Sequence, residues 1–133
     1  NNDLSSPDGL YFDPRGVLWI QTDDGAYTDT SSCMLLAALP GQVSDGTLIT
    51  TSAGQQTRVG MPARDDNIKR FFVGPEGCEV TGITMTPDFK TLFINIQHPG
   101  NTWGAVAGGS TPRSATVMIT REDGDVILAE SFT

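Results

Sequence analysis

Positive charge is scarce in this chain of 133 residues: eight Lys and Arg stand against 16 Asp and Glu, a formal net charge of -8. Clustered Lys and Arg are what non-specific nucleic-acid binding and adhesion to anionic lipid require. Neither nucleic acid nor a membrane surface is therefore expected as a partner. No apolar run approaches the roughly 20 residues that span a bilayer. His98 is the single histidine, so a Ser/His/Asp triad within the chain would have to use it. The two cysteines, Cys33 and Cys78, form no CxxC pair, which argues against a structural zinc site. They neither require a disulfide nor exclude one. The glycines of 104–112 read as a loop without a Walker pattern, because no Gly-Lys-Ser/Thr follows. A signal peptide is also missing, and the chain starts at Asn1, not Met; the expectation is an N-terminus that has been processed or cut.

Helical periodicity is lacking too: no window of ten or more residues holds it. What the chain has instead is glycine (15) and proline (8), set between short runs of β-branched and aromatic residues. Strands are predicted at 10–13, 17–23, 33–39, 46–51, 68–73, 82–86, 91–97, 115–120 and 126–130. Leu and Ala at 35–39 also suit a helix. Three hairpins follow, turning through Pro14-Arg-Gly16, Pro87-Asp-Phe-Lys90 and Glu122-Asp-Gly124, with the Pro, Gly and Asp that such turns demand.

The first two hairpins match each other. Asp8-Gly-Leu-Tyr-Phe-Asp-Pro14 lies on Thr81-Gly-Ile-Thr-Met-Thr-Pro87, and Leu18-Trp-Ile-Gln21 on Leu92-Phe-Ile-Asn95. Trp19 and Phe93 thus occupy equivalent positions, and both are expected in apolar layers. A repeated hairpin of this kind points to a β-propeller. Blades of roughly 40–45 residues would make this chain two to three blades of an incomplete, all-β propeller. Residues 1–133 are therefore expected to be one segment of a larger chain, its open edges covered by the remaining blades or by self-association.

Two segments resemble the PhoX family of alkaline phosphatases. One is Ser6-Pro-Asp-Gly-Leu-Tyr-Phe-Asp-Pro-Arg-Gly-Val-Leu-Trp-Ile-Gln-Thr-Asp23. The other is Phe72-Val-Gly-Pro-Glu-Gly-Cys-Glu-Val-Thr-Gly82, followed by Leu92-Phe-Ile-Asn-Ile-Gln-His-Pro-Gly100. Ser114-Ala-Thr-Val-Met-Ile-Thr-Arg-Glu-Asp-Gly124 also fits. The resemblance implies a six-bladed propeller exported to the periplasm or beyond, hydrolysis of phosphomonoesters, and a central site holding calcium and iron on carboxylates. The family's iron-ligating cysteine lies in an earlier segment, so Cys33 and Cys78 are not given that role. Within this reading the isolated chain is expected to be inactive. A calcium-bound propeller hydrolase of lactonase type and a non-catalytic binding propeller remain as alternatives.

Four carboxylates are the metal candidates: Asp8, Glu79, Asp23 and Asp24. Hard cations such as calcium take clusters of oxygen ligands. In the repeat, Glu79 falls on Ser6, two residues before Asp8, and side chains two apart on an extended strand share a face. Asp8 can equally be a turn former, Glu79 a solvated strand-edge carboxylate, and Asp23 with Asp24 a solvated turn before Gly25. Asp13, beside Pro14, reads as a turn residue. Asp65 and Asp66 read as partners in surface ion pairs with Arg64, Lys69 and Arg70. His98 reads as a strand-end cap, with catalysis the alternative. Arg15, Arg58, Arg64 and Arg113 are capable of bidentate phosphate binding, but nothing in the sequence selects one.

Overall fold

A computed structural model describes residues 6–23, 32–39, 46–59 and 67–128. Among them every regular element is a strand and every pairing is antiparallel. The first sheet runs β1 (Pro7–Phe12), β2 (Leu18–Thr22), β3 (Met34–Ala38) and β6 (Ile68–Val73), neighbours in that order. Between its third and fourth strands a separate two-stranded hairpin is inserted, β4 (Leu48–Thr50) with β5 (Gln56–Arg58). The second sheet is β7 (Glu79–Met85), β8 (Thr91–Gln97) and β9 (Ala115–Thr120). Four antiparallel strands joined in chain order form a propeller blade, and the second sheet stacks against the first through β7, which packs on β1, β2 and β3. The sheets do not close on each other. The chain is all-β, a partial propeller.

Stacking explains which residues are buried. One face of the first sheet contributes Val17, Trp19 and Leu35; the facing side of the second contributes Val80, Leu92 and Ile94. The edge of Trp19 meets Phe71, with centroids 5.0 Å apart and rings at 86°, a favourable arrangement of aromatic quadrupoles. The opposite face of the first sheet buries Ile20, Met34, Leu36 and Ile68 in a second cluster. With apolar contacts on both faces, β3 needs continuous hydrophobicity, not alternation. Its Leu and Ala therefore suit a central strand, and their helical preference is overridden.

Two expectations are corrected. Phe93 aligns with Trp19, and their cross-strand partners, Thr84 and Tyr11, align as well. Yet Trp19 is fully buried while Phe93 is only partly buried, with Leu92 and Ile94 facing the core instead. Stacked sheets touch through opposite faces, so one hairpin position faces inward in one blade and outward in the next. The second correction concerns 126–130. Residues 126–128 form no strand, and Leu128 takes φ 61; residues 129 and 130 lie outside the described residues. Instead of pairing with β9, the chain is caught by two bonds. The Ile127 amide donates to the Phe89 carbonyl at 2.9 Å, and Arg15 Nη1 donates to the Ile127 carbonyl at 2.6 Å. The side chain of Ile127 then plugs the core between the sheets.

The end of the fold that carries Arg15 is stitched around Asp13. This carboxylate, 3% exposed as a residue, accepts from the Arg15 amide and guanidinium, the Val17 amide and Trp19 Nε1. Burial alone would raise its pKa, but these hydrogen bonds and the Arg15 charge outweigh it and hold the carboxyl below its usual range. Arg15 also lies over the Phe89 ring, 4.5 Å from its centroid. It joins both sheets and, as a β1–β2 turn residue, stands at the far end of the hairpin from Asp8. That placement removes Arg15 from the candidates for phosphate binding beside Asp8.

Candidate metal centre

The first hairpin brings Asp8 and Asp23 to one end. Pro7 pairs with Thr22, and the Asp23 amide donates to the Ser6 carbonyl at 3.0 Å. Register slips between Pro7 and Gly9, leaving Asp8 as the extra residue of a β-bulge. Bulges re-aim a side chain out of the strand's ordinary alternation. The second hairpin repeats the arrangement: Glu79, the first residue of β7, pairs with Gln97, the last of β8, so His98 follows directly beside it. Docking of the sheets then gathers the two hairpin ends. One ligand atom from each of Asp23, Glu79 and His98 falls within 4.8 Å of the others. Asp8 adds its negative charge to that felt by the Glu79 carboxyl. Asp24 and Arg64–Asp66 lie outside the described residues.

The docking has its own fastener. β7 carries a bulge between Thr81 and Thr84, which takes the Gly82 and Ile83 amides out of the ladder. Gln21, 4% exposed, spans from the first sheet to meet them. In the orientation that satisfies both ends of its amide, its oxygen accepts from Gly82 N at 2.8 Å and Ile83 N at 3.2 Å. Gly82 sits at φ 55, and a Cβ there would also strike the Asn95 side chain.

Two loops hold His98. Gly100 N donates to the Glu76 carbonyl at 2.7 Å, and Asn101 Nδ2 to the Glu76 carboxylate at 2.6 Å. The backbones approach so closely that a Cβ on Gly100 would lie 2.8 Å from the Glu76 carbonyl oxygen. His98 itself takes φ 38, with its amide donating to Ser114 Oγ at 3.1 Å. Its Nδ1 stands 3.0 Å from the Gly77 carbonyl. A carbonyl only accepts, so Nδ1 bears the proton, and in the neutral ring Nε2 presents a lone pair. That nitrogen is 3.6 Å from Glu79 Oε2.

Electrostatically the cluster is overfilled with negative charge. The Glu79 side chain is only 12% exposed. Burial raises its pKa, the charges of Asp23 and Asp8 raise it further, and His98 gives partial relief. Two carboxylates beside a third repel it, and either a proton or a cation resolves the conflict. Fixing Nδ1 on a backbone carbonyl is also how metal-binding histidines are usually oriented. The donor set, carboxylate oxygens with one imidazole nitrogen, thus fits a metal ion.

His98 is the member that sequence reasoning read as a strand-end cap, with catalysis as the alternative and no metal role. It does cap, through Gly77 and Ser114, but the pairing of Glu79 with Gln97 also carries it into the cluster. Part of the signal was present: a hairpin turning through Pro87-Asp-Phe-Lys90 with Met85 opposite Leu92 runs back to place Glu79 opposite His98, and the β7 bulge shifts that register by one to Gln97. Arg58 donates to the Gly46 carbonyl beside the inserted hairpin, and Arg113 lies against the loop of Trp103 and Gly104.

A search of curated proteins finds no match. The family model described as alkaline phosphatase PhoX matches residues 1–100. Among solved structures, Pseudomonas fluorescens PhoX in complex with vanadate, a transition state analogue, is 37% identical with a TM-score of 0.60. The alignment covers 91% of this chain and 18% of that one, so the chain spans less than a fifth of its structural relative. The match includes both hairpin ends that build the cluster, and the chain belongs to the PhoX alkaline phosphatase family.

Proposed function

We propose that this chain is the C-terminal blade pair of an exported, metal-dependent phosphomonoesterase, and that Asp8, Asp23 and Glu79, with His98, contribute to its metal site. The gathering of Asp23, Glu79 and His98 at one end of two docked hairpins carries this reading. Family membership supports the phosphatase chemistry, and the relative's complex with a transition state analogue supports a phosphoryl-transfer site in this architecture. The 18% coverage and the exposed Leu10, Phe12 and Met118 support further blades packing on these sheets. Calcium suits the carboxylates, and iron in the complete protein suits the mixed oxygen and nitrogen set. Asp24, next to Asp23 in sequence, is proposed as an additional ligand.

When bound, cations supply electrophilic stabilisation of the negative charge on a transferring phosphoryl group. This chain's residues do the holding. Glu79 binds a cation as its carboxylate, so filling of the site weakens as pH falls. His98 keeps Nε2 as a donor because Gly77 holds the proton on Nδ1. Gln21 fixes the bulge of β7 and, through it, the relation between the two pairs of ligands.

The test is hydrolysis of an aryl phosphate by the full-length protein. Asp23→Asn and Glu79→Gln are each expected to lower turnover by at least about 10-fold, by analogy with losses on disturbing metal shells. Far-ultraviolet circular dichroism should be unchanged. Full activity in both folded variants would refute the proposal.

A further inference from the structure

Outside the carboxylate cluster, one pair of potential nucleophiles remains that the chemistry above does not use. Cys33 and Cys78 are 5% and 2% exposed and lie in the layer between the sheets. Cys33 precedes β3 of the first sheet and Cys78 precedes β7 of the second.

Gly74 shows how they stand to each other. Its amide donates to the Cys33 carbonyl at 2.8 Å, and the Met34–Val73 pair beside it makes Gly74 the cross-strand neighbour of Cys33. Side chains at such positions share a face, with Cβ atoms about 4.5–5.5 Å apart. A Cβ built on Gly74 would collide with the Sγ of Cys78. The Cys78 sulfur therefore occupies the side-chain position opposite Cys33, and the absence of a side chain at Gly74 leaves room for it. No disulfide joins the two in this arrangement.

We propose that Cys33 and Cys78 are the partners of a disulfide that staples the two blades, formed by exchange with a low-molecular-weight disulfide such as oxidised glutathione. One cysteine thiolate attacks a sulfur of the reagent, breaking its S–S bond and releasing one reagent thiolate. The other cysteine then attacks the mixed disulfide and releases the second. Two protein thiols are oxidised, one reagent disulfide is reduced to two thiols, and the two protons pass to the released thiolates. Exchange precedes docking of the blades. Once docked, both cysteines are buried and closed to the reagent. The same burial shields the finished bond.

The experiment is to reduce and denature the purified protein, refold it in a glutathione redox buffer, and unfold it again in an alkylating reagent. Mass spectrometry after digestion is expected to find one peptide pair joining Cys33 to Cys78, with neither of these two residues tagged. In Cys33→Ser protein treated alike, Cys78 should carry a tag or a glutathione. A refolded monomer tagged at both Cys33 and Cys78 overturns the proposal, as does a disulfide joining two chains. Tagging protein secreted directly into oxidising medium removes the refolding step. A closed pair there supports the staple, and two free thiols refute it.

Discussion

Asp13 shows how much a single carboxylate can do when it is buried with the right donors. It organises the β1–β2 turn, receives the Trp19 indole, and holds Arg15 where that guanidinium can bridge to Ile127 and Phe89. Removing it in Asp13→Ala strands a buried indole N–H and an arginine, and should cost about 3–5 kcal/mol, measurable by urea unfolding. Its pH dependence has a definite sign. The folded pKa is held below the ordinary 3.8, so the contribution is present above that value and lost as pH falls through the folded pKa. Asp13→Asn should lack this acid-sensitive component. Parallel loss of stability below pH ~4 in both proteins would contradict the assignment. Sequence alone showed Asp13 as a turn former and no more. Its bonds to Trp19 and Arg15 depend on how the turn folds back on β2, which composition does not encode.

At the level of elements, the hairpins were readable because each turn states its own chemistry. Pro14-Arg-Gly16 and Pro87-Asp-Phe-Lys90 mark where the chain reverses, and the repeated apolar spacing aligns one hairpin on the other. The facing of each hairpin was not readable, since a period of two is satisfied by burying either face; Phe93 and Leu92 exchange roles for that reason. Nor was β5, whose Gln56-Thr-Arg58 is wholly exposed and carries no apolar alternation. Asp8, Asp23 and Glu79 could be nominated from carboxylate chemistry and the family segments. Their approach to His98 depends on two bulges and on Gln21, which are tertiary features. Gln21→Leu would leave the Gly82 and Ile83 amides without their acceptor and is expected to destabilise the protein by about 1–3 kcal/mol. A melting temperature equal to wild type would show that the bulge is satisfied otherwise.

For the whole molecule, the proposal makes the site a property of several blades acting together. Two hairpin ends supply three carboxylates and an imidazole, while catalysis requires a phosphoryl group surrounded by preorganised charge. The 133-residue chain by itself is therefore expected to show no enzymatic turnover of an aryl phosphate, and turnover at a rate typical of enzymes would disprove the need for further blades. The most direct measurement is metal content. Full-length protein and its Glu79→Gln variant, dialysed alike against metal-depleted buffer, would be analysed for calcium and iron by inductively coupled plasma mass spectrometry. If Asp8, Asp23, Glu79 and His98 serve a metal, the folded variant should retain at least one ion fewer per chain than wild type. Identical calcium and iron content in the two folded proteins would contradict the metal site.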